Sequence, residues 1–254
     1  MLAEARRSQL LQDLQENGYV QATELASHLN LSAATIRRDL SLLEKEGLCF
    51  RKRGGAVRSA RGATIEVPYE IKRNQKITEK NRIAQSAANL VEDGDTLILD
   101  AGSTTFALAL ALRAKQRITV VTNDLQIAVK LSSNPTINLI CTGGKARPNV
   151  FSLYGSQVET FIKELHVDKA FLGADAIHPD GSLWNVNFEE VPIKQAMLHA
   201  AKQVFLLADS SKFVKTGFVK VCNLSEIDSI ITDFGIPKES LDQFIALGSE
   251  IVVV

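Results

Sequence analysis

Two stretches of this 254-residue sequence carry residue types whose spacing suggests chemistry. The first is SAATIRRDL, residues 32–40, where Arg37 and Arg38 stand side by side among small residues. A guanidinium is a planar fork of donors that matches a guanine edge or a phosphate, and small neighbours let a backbone come close to the surface being read. The second is DAGSTT, residues 100–105, in which an apolar run ends at Asp100, Gly102 permits a tight turn, and Ser103, Thr104 and Thr105 open a helical segment. Unpaired N–H groups at the positive end of a helix, with hydroxyls beside them, suit an anion such as phosphate. The lysine that would follow the second glycine of a Walker loop is missing.

The elements that position the arginine pair read as three short helices. Apolar periodicity runs from Ala3 to Glu16, from Ala22 to Leu29 and from Ala33 to Glu46. Asn17-Gly18 closes the first helix, and the brief Asn30-Leu31 connection between the last two is the helix-turn-helix layout. Ser32 is placed to cap the third helix by accepting from the N–H of Ala34 or Thr35. At about 100° per residue, Ile36, Leu40 and Leu43 share one face while Ala33, Ala34, Arg37, Arg38 and Ser41 share the other. After Gly47, LCFRKRGGAV reads as a β-hairpin wing with Arg51, Lys52 and Arg53 near its tip, suited to phosphates or a minor groove. The expected DNA-contacting residues are therefore Ser32, Ala33, Ala34, Thr35, Arg37, Arg38 and Ser41 on the helix, and Arg51, Lys52 and Arg53 on the wing. Charge agrees: residues 1–62 hold ten Lys/Arg against seven Asp/Glu, a net of +3, which leaves −3 for the rest of a chain with zero net charge. A helical module that binds protein is the competing reading of this segment.

Composition is that of an ordinary globular protein, with 45% hydrophobic and 23% charged residues. No apolar run approaches the ~20 residues that span a bilayer, and the N-terminus lacks a signal-peptide pattern, so a cytoplasmic protein without a membrane partner is expected. Cys49, Cys141 and Cys222 are scattered and form no metal-ligand or disulfide pattern, so neither a metal site nor a cofactor is expected. A composition shift over residues 58–80 marks a change of domain, with a connecting helix from about Pro68. The expected division is a DNA-binding domain at 1–58, a linker at 59–75 and a second domain at 76–254. In the second domain, apolar runs such as TLILDAG, ITVVTN, INLICTGG, VFLLADSS and SIITDF alternate with helical segments, which implies a mostly parallel sheet covered by helices. Ligands of such sheets bind beyond the carboxyl ends of the strands. Those ends carry Asp100 to Thr105, Thr122-Asn123, Gly143-Gly144-Lys145, Gly173-Ala174-Asp175 and Asp209-Ser210-Ser211-Lys212. Together they describe a polar pocket in which carboxylates accept from sugar hydroxyls while Lys212 and a helix end neutralise a phosphate.

The N-terminal spacing resembles the DeoR family of bacterial transcriptional regulators: Arg6, Leu10 and Leu14, seventeen residues, then Ser32, Thr35, Ile36, Arg37, Arg38, Asp39 and Leu40. One departure is Gln21, where similar proteins begin the second helix with a capping Ser or Thr. The remainder is similar to that family's effector domain, so the resemblance implies a small winged helix-turn-helix domain followed by a Rossmann-like, ribose-5-phosphate isomerase-like α/β domain. It implies Asp100, Gly102, Ser103, Thr104, Thr105, Thr122, Asn123, Gly143, Gly144, Asp175, Glu190, Lys194 and Lys212 as effector ligands. The isomerase pattern is broken here. His178 replaces a second acid three residues after Asp175, and Trp184-Asn185-Val186-Asn187 replaces a lysine and glycine run, which removes the expected proton-transfer groups and leaves no catalytic residue.

The expectation is a repressor of a carbohydrate catabolic operon that binds double-stranded operator DNA under control of a phosphorylated sugar. It is expected to act as a homodimer or homotetramer, because one small module contacts half a site. A sugar-phosphate isomerase or deaminase is the alternative, and a non-specific DNA-packaging protein is ranked last. His28, His166 and His199 have no evident partner, and Trp184 and Phe188 are expected to pack in the core rather than wall the pocket.

Overall fold

The computed structural model describes residues 2–58 and 66–254, with Gln15, Glu16 and Arg58 described by backbone alone. The chain forms two compact units, Met1–Gln75 and Lys76–Val254.

The smaller unit contains helix α1 (Ala3–Asn17), strand β1 (Tyr19–Gln21), helix α2 (Ala22–His28), helix α3 (Ala33–Lys45), strands β2 (Cys49–Lys52) and β3 (Gly55–Arg58), and helix α4 (Tyr69–Asn74). Its core is the set of apolar positions that the helical periodicity marks: Leu10, Leu11 and Leu14 from α1, Leu25 and Ala26 from α2, and Ile36, Leu40 and Leu43 from α3. Strands β2 and β3 form the expected wing, and β1, too short to show a periodic pattern, pairs with β3 on its other side. Gly55 is what allows that third strand, since a Cβ there would lie 1.9 Å from the Val20 carbonyl oxygen. Residues 59–65, where the expected linker begins, lie outside the described residues. The stretch from 66 onward is structured: Ile71 and Val67 join the core of the smaller unit, and the Ser8 hydroxyl donates to the Ile71 carbonyl at 3.4 Å. The apolar side chains of α4 give it a reason to pack on α1 rather than stay extended.

The larger unit contains α5 (Ile77–Asn89), β4 (Thr96–Leu99), α6 (Ser103–Ala111), β5 (Ile118–Thr122), α7 (Leu125–Leu131), β6 (Ile137–Cys141), a hairpin of β7 (Lys145–Ala146) and β8 (Leu153–Tyr154), and α8 (Ser156–Lys163). It continues with β9 (Val167–Gly173), β10 (Ala176–Ile177), β11 (Ser182–Asn185), α9 (Val191–Ala200), β12 (Ala201–Leu207), β13 (Val219–Asn223), β14 (Ser229–Thr232), α10 (Lys238–Ala246) and β15 (Glu250–Val253). Seven strands form one parallel sheet in the order β15-β14-β12-β9-β4-β5-β6, the α/β architecture read from the sequence. Three short antiparallel strands, β10-β11-β13, make a second small sheet. The central strands are buried on both faces, with Leu97, Ile98, Leu99, Ala170, Phe171 and Leu172 inaccessible, as helices covering both sides require.

From β4 the chain winds outward through β5 and β6, then returns to β9 on the other side of β4. The order therefore reverses between β4 and β9, and a crevice at their carboxyl ends follows from that topology. Register at this point is pinned from the opposite ends of the strands. Asp168 of β9 accepts from the Thr96 N–H at 3.0 Å, from the Thr96 hydroxyl at 2.7 Å and from Lys202 of β12 at 2.8 Å. Hydrogen bonds from Lys202 and Thr96 hold its carboxyl well below the usual carboxylate range.

Replacing Gly55 with Ala must displace β1 from β3 or distort the wing. We expect Gly55→Ala to destabilise the smaller unit by about 1–3 kcal/mol in urea unfolding. An unchanged midpoint for that unit would show that β1 does not pack on β3.

Candidate functional site

In the smaller unit the site is a helix face. Ser32 has extended backbone geometry and its Oγ accepts from the Thr35 N–H at 3.1 Å, which starts α3 where the sequence places the cap. Gln21 makes no side-chain cap on α2, in line with the departure noted there. Ala34, Arg37 and Arg38 are exposed, Ala33, Thr35 and Ser41 are partly so, and neither arginine has an ion-pair partner among the described residues. The acid beside them behaves differently. Asp39 is 4% exposed and takes a two-pronged ion pair from Arg6 of α1, with Arg6 Nη2 donating to Oδ1 at 3.2 Å and Nε to Oδ2. That pair fixes α3 against α1 while leaving Arg37 and Arg38 outward. Opposite charges at positions 6 and 39 were visible in the sequence, but which cation would meet which acid was not.

The wing cations are exposed, and Arg51 is already engaged. Its Nη1 donates to the Ser41 hydroxyl at 2.7 Å, and its backbone N–H donates to Glu44 Oε1 at 2.8 Å. Arg51 therefore ties the wing to α3, whereas Lys52 and Arg53 extend toward the hairpin tip.

In the larger unit the β4/β9 reversal gathers most of the expected ligands. Gly102 has extended backbone and Phe106 N–H closes the first turn of α6 onto the Gly102 carbonyl at 2.9 Å. The N–H groups of Ser103, Thr104 and Thr105 precede that bond and have no partner among the described residues, the condition for receiving an anion. Asp100 is inaccessible. Its Oδ2 accepts from the Gly173 N–H at 2.9 Å and pairs with Lys194 of α9, whose ammonium also donates to the Gly173 carbonyl at 3.0 Å. Burial opposes the Lys194 charge, but Asp100, Glu190 and Asp175 together lift its pKa above the ordinary value.

Glu190, just ahead of α9, is saturated: Oε1 accepts from Arg147 and from Ser152, each at 2.6 Å, and Oε2 from Asn185 at 2.9 Å. Burial would raise its pKa, yet Lys194, Arg147 and the Ser152 hydrogen bond outweigh that and hold it below the usual range. Asp175 accepts from the Val186 N–H at 3.1 Å. The segment that delivers Arg147 and Ser152 carries Asn149 and Phe151 at φ of 60° and 64°, a left-handed conformation that costs a bulky residue energy.

Thr122 and Asn123 end β5 in different roles. The Thr122 hydroxyl is spent within the fold, donating to the Leu99 carbonyl at 2.8 Å and accepting from the Asp124 N–H at 3.1 Å. Asn123 donates to the Leu153 carbonyl at 3.3 Å, and its buried Oδ1 has no partner among the described residues. Asp124, not singled out from the sequence, caps α7 through bonds from Gln126 at 2.7 Å and Ile127 at 3.0 Å and also accepts from Gly102 N–H at 3.1 Å. An Asp immediately before an apolar helical run was the available signal.

The remaining expected ligands make no hydrogen bond or ion pair with this cluster among the described residues. Gly143 faces open space, and Gly144 is needed for packing, since a Cβ there would meet Val158 at 2.4 Å and the Tyr154 carbonyl at 2.8 Å. Lys212 lies in a short 3-10 turn after β12, where it, Lys80 and the Ser211 hydrogen bond overcome burial to hold Asp209 below its ordinary pKa. Phe188 is 64% exposed, which corrects its expected place in the core, because the β11–α9 connection carries it outward. Trp184 is half-buried and stacks on His178 at 4.8 Å between ring centroids. No group of His, Cys, Asp and Glu among the described residues could hold a metal ion.

Comparison with known proteins gives the same two units. Residues 6–61 match the DeoR-like helix-turn-helix domain and residues 75–234 the DeoR C-terminal sensor domain. The glycerol-3-phosphate regulon repressor of Escherichia coli K12 is 32% identical over 90% of each chain. The transcriptional repressor GlcR of Bacillus subtilis is 36% identical over 92% of this chain and 89% of its own. Ribose 5-phosphate isomerase A of Methanocaldococcus jannaschii overlaps 54% of each chain at 22% identity and a TM-score of 0.40.

Burial pushes the Asp124 carboxyl up to about 6, against the hydrogen bonds from Ile127, Gly102 and Gln126 that favour its charged form. Between the ordinary carboxyl range near 4 and this value the unfolded chain loses its proton first, so stability falls as pH rises, by at most about 1.4 kcal/mol per unit, and levels off above it. Asp124→Asn keeps the α7 cap, opposes a donor to Gly102 N–H and removes the titration. Thermal unfolding from pH 4 to 7 should therefore show a lower but flatter profile for the variant, and identical slopes would exclude Asp124 as the titrating group.

Proposed function

The chain belongs to the DeoR family of transcriptional regulators, and on that premise we propose that it represses a carbohydrate catabolic operon, with operator affinity controlled by a phosphorylated sugar bound in its C-terminal sensor domain. The observation that carries the DNA half is the exposed, unpaired Arg37-Arg38 face on a helix locked from behind by Arg6 and Asp39. Ser32, Ala33, Ala34, Thr35, Arg37, Arg38 and Ser41 meet base edges and backbone in this reading, Lys52 and Arg53 meet phosphates, and Arg51 holds the wing to the helix. Two copies or four provide the paired half-sites.

The effector half rests on the unpaired N–H groups that open α6 at the β4/β9 reversal. Ser103, Thr104 and Thr105 receive the phosphate, while Asn123, Asp175, Glu190, Lys194 and Asp100 shape the sugar end. Lys212, Gly143 and Gly144 serve at the edges of this site. Binding without turnover fits the same geometry. An isomerase needs a carboxylate free to take a proton beside the sugar carbonyl, whereas Asp100 is held by Lys194 and Gly173, and His178 is stacked on Trp184.

Tight binding to duplex from upstream of the chain's own gene, weakening steeply with salt, is the expected behaviour. Arg37→Ala should cost about 1–3 kcal/mol on that duplex and less on random duplex. Equal losses on both would make Arg37 a phosphate contact, and no preference for the upstream duplex would remove the repressor reading. Ser103→Ala should weaken the response to sugar phosphates in thermal shift while leaving effector-free DNA affinity unchanged. Altered basal affinity would assign Ser103 a structural role.

A further inference from the structure

We infer that the sensor site discriminates by charge at the end of the effector remote from its phosphate, admitting hydroxyl or ammonium groups there and rejecting a second acidic group. This rests on the phosphorylated-sugar reading and concerns the chemistry of the other pole of the same site.

Donors and acceptors are unequally supplied around the β4/β9 reversal. Among the described residues, the backbone donors left unpaired there are the N–H groups of Ser103, Thr104 and Thr105 at the start of α6. Around them stand four carboxylates, Asp100, Asp124, Asp175 and Glu190, against two cations, Lys194 and Arg147, and these groups act electrostatically on one another. Asp124 belongs to the phosphate end, where it accepts from the Gly102 N–H, and Asp175 and Glu190 mark the remote end. Both cations are committed: Lys194 to Asp100 and the Gly173 carbonyl, Arg147 to Glu190. Neither can turn to an incoming carboxylate without abandoning a buried acid, and an acid left unpaired in the interior is among the costliest arrangements a fold can hold.

An independent observation points the same way. Asn123, at the carboxyl end of β5 and adjoining Asp124, is 2% exposed and its Oδ1 has no hydrogen-bond partner among the described residues. A buried acceptor without a donor marks an interaction still to be made, and it can be made only by a group that donates. A hydroxyl or an ammonium does so. A carboxylate cannot, and would also lose its hydration beside acids that outnumber the two cations serving them. For the phosphate this penalty is offset by the donors of the helix end, the acid at that end, Asp124, being engaged by the Gly102, Gln126 and Ile127 N–H groups.

The test uses the full-length protein near neutral pH, with inorganic phosphate and two matched series at hexose and pentose length: the neutral aldose phosphate, its amino-deoxy counterpart and its aldonic acid counterpart. Calorimetric titration should find the aldonic acid phosphate at least about tenfold weaker than the matched aldose phosphate, and the amino sugar phosphate at least as tight. An aldonic acid phosphate that binds as well as its aldose, or an amino sugar phosphate that binds worse, overturns the inference. Asp175→Asn removes one negative charge from the half-buried member of the cluster and should narrow the aldose-to-aldonate ratio several-fold. An unchanged ratio in a variant that still binds the aldose phosphate also counts against it. Binding of inorganic phosphate with no sugar phosphate bound overturns this inference alone, whereas no binding of phosphate or of any series member removes the sensor reading beneath it.

Discussion

An ammonium and a carboxylate taken out of water together organise the larger unit. Asp100 ends β4, Gly173 ends β9, and Lys194 projects from α9; the ammonium meets the acid and the carbonyl, and the acid meets the N–H. Three elements far apart in sequence are thereby fixed at the one place where the strand order reverses. Removing either ion alone leaves an uncompensated charge in the interior, which costs about 3–5 kcal/mol, so the arrangement is all or nothing. The turn at 100–105 inherits its position from this: Asp100 stands two residues before Gly102, and Asp124 holds the Gly102 N–H from the neighbouring strand. What remains unpaired after these bonds is the start of α6.

The smaller unit solves a similar problem with the same device. A recognition helix must present cations to DNA without those cations collapsing onto the protein. Asp39 is the nearest acid in sequence to Arg37 and Arg38, and were it exposed it would compete with DNA for them. It is instead buried and saturated by Arg6, whose planar fork satisfies both carboxylate oxygens. The helix is held by its hidden charge and left free to use its visible ones. Arg51, bonded to Ser41, extends the control to the wing by setting how closely the hairpin approaches the helix.

Much of this was legible from residue order. The helical face carrying Arg37 and Arg38, the Ser32 cap, the two-stranded wing and the parallel sheet all followed from period, capping chemistry and apolar runs, because each depends on neighbours within a few residues. Strand β1, Asp124, and the pairings Arg6–Asp39 and Arg147–Glu190 did not. Three residues are too few for a period, and a charge pair 33 or 43 positions apart is set by topology that local pattern does not contain. Phe188 misled for the opposite reason. An aromatic between polar residues reads as core by composition, whereas its position just before α9 turns it to solvent. Residues 66–75 show that apolar content outweighs a mixed local composition, since Ile71 draws α4 into the smaller core.

The charge arrangement also bears on the proposed binding of a sugar phosphate without turnover. Proton transfer requires a carboxylate whose affinity for a proton is free to change during the reaction, so it must be weakly held in the resting site. Here Lys194, Arg147, Ser152 and backbone N–H groups hold the acids in ion pairs, hydrogen bonds and caps. Strong pairing of that kind suppresses chemistry and sharpens recognition, because a rigid set of acceptors tells a donor from an acceptor at little entropic cost. A regulator needs that property most: its response is the difference between the effector's affinities for two protein states, and a hundredfold change in DNA binding corresponds to about 2.7 kcal/mol of such difference. Among the described residues, the opening N–H groups of α6 and the Asn123 oxygen are left unpaired and stand ready to supply it. Those belong to consecutive strand ends, so an effector that joins them acts on the fold at the point where its strand order turns back.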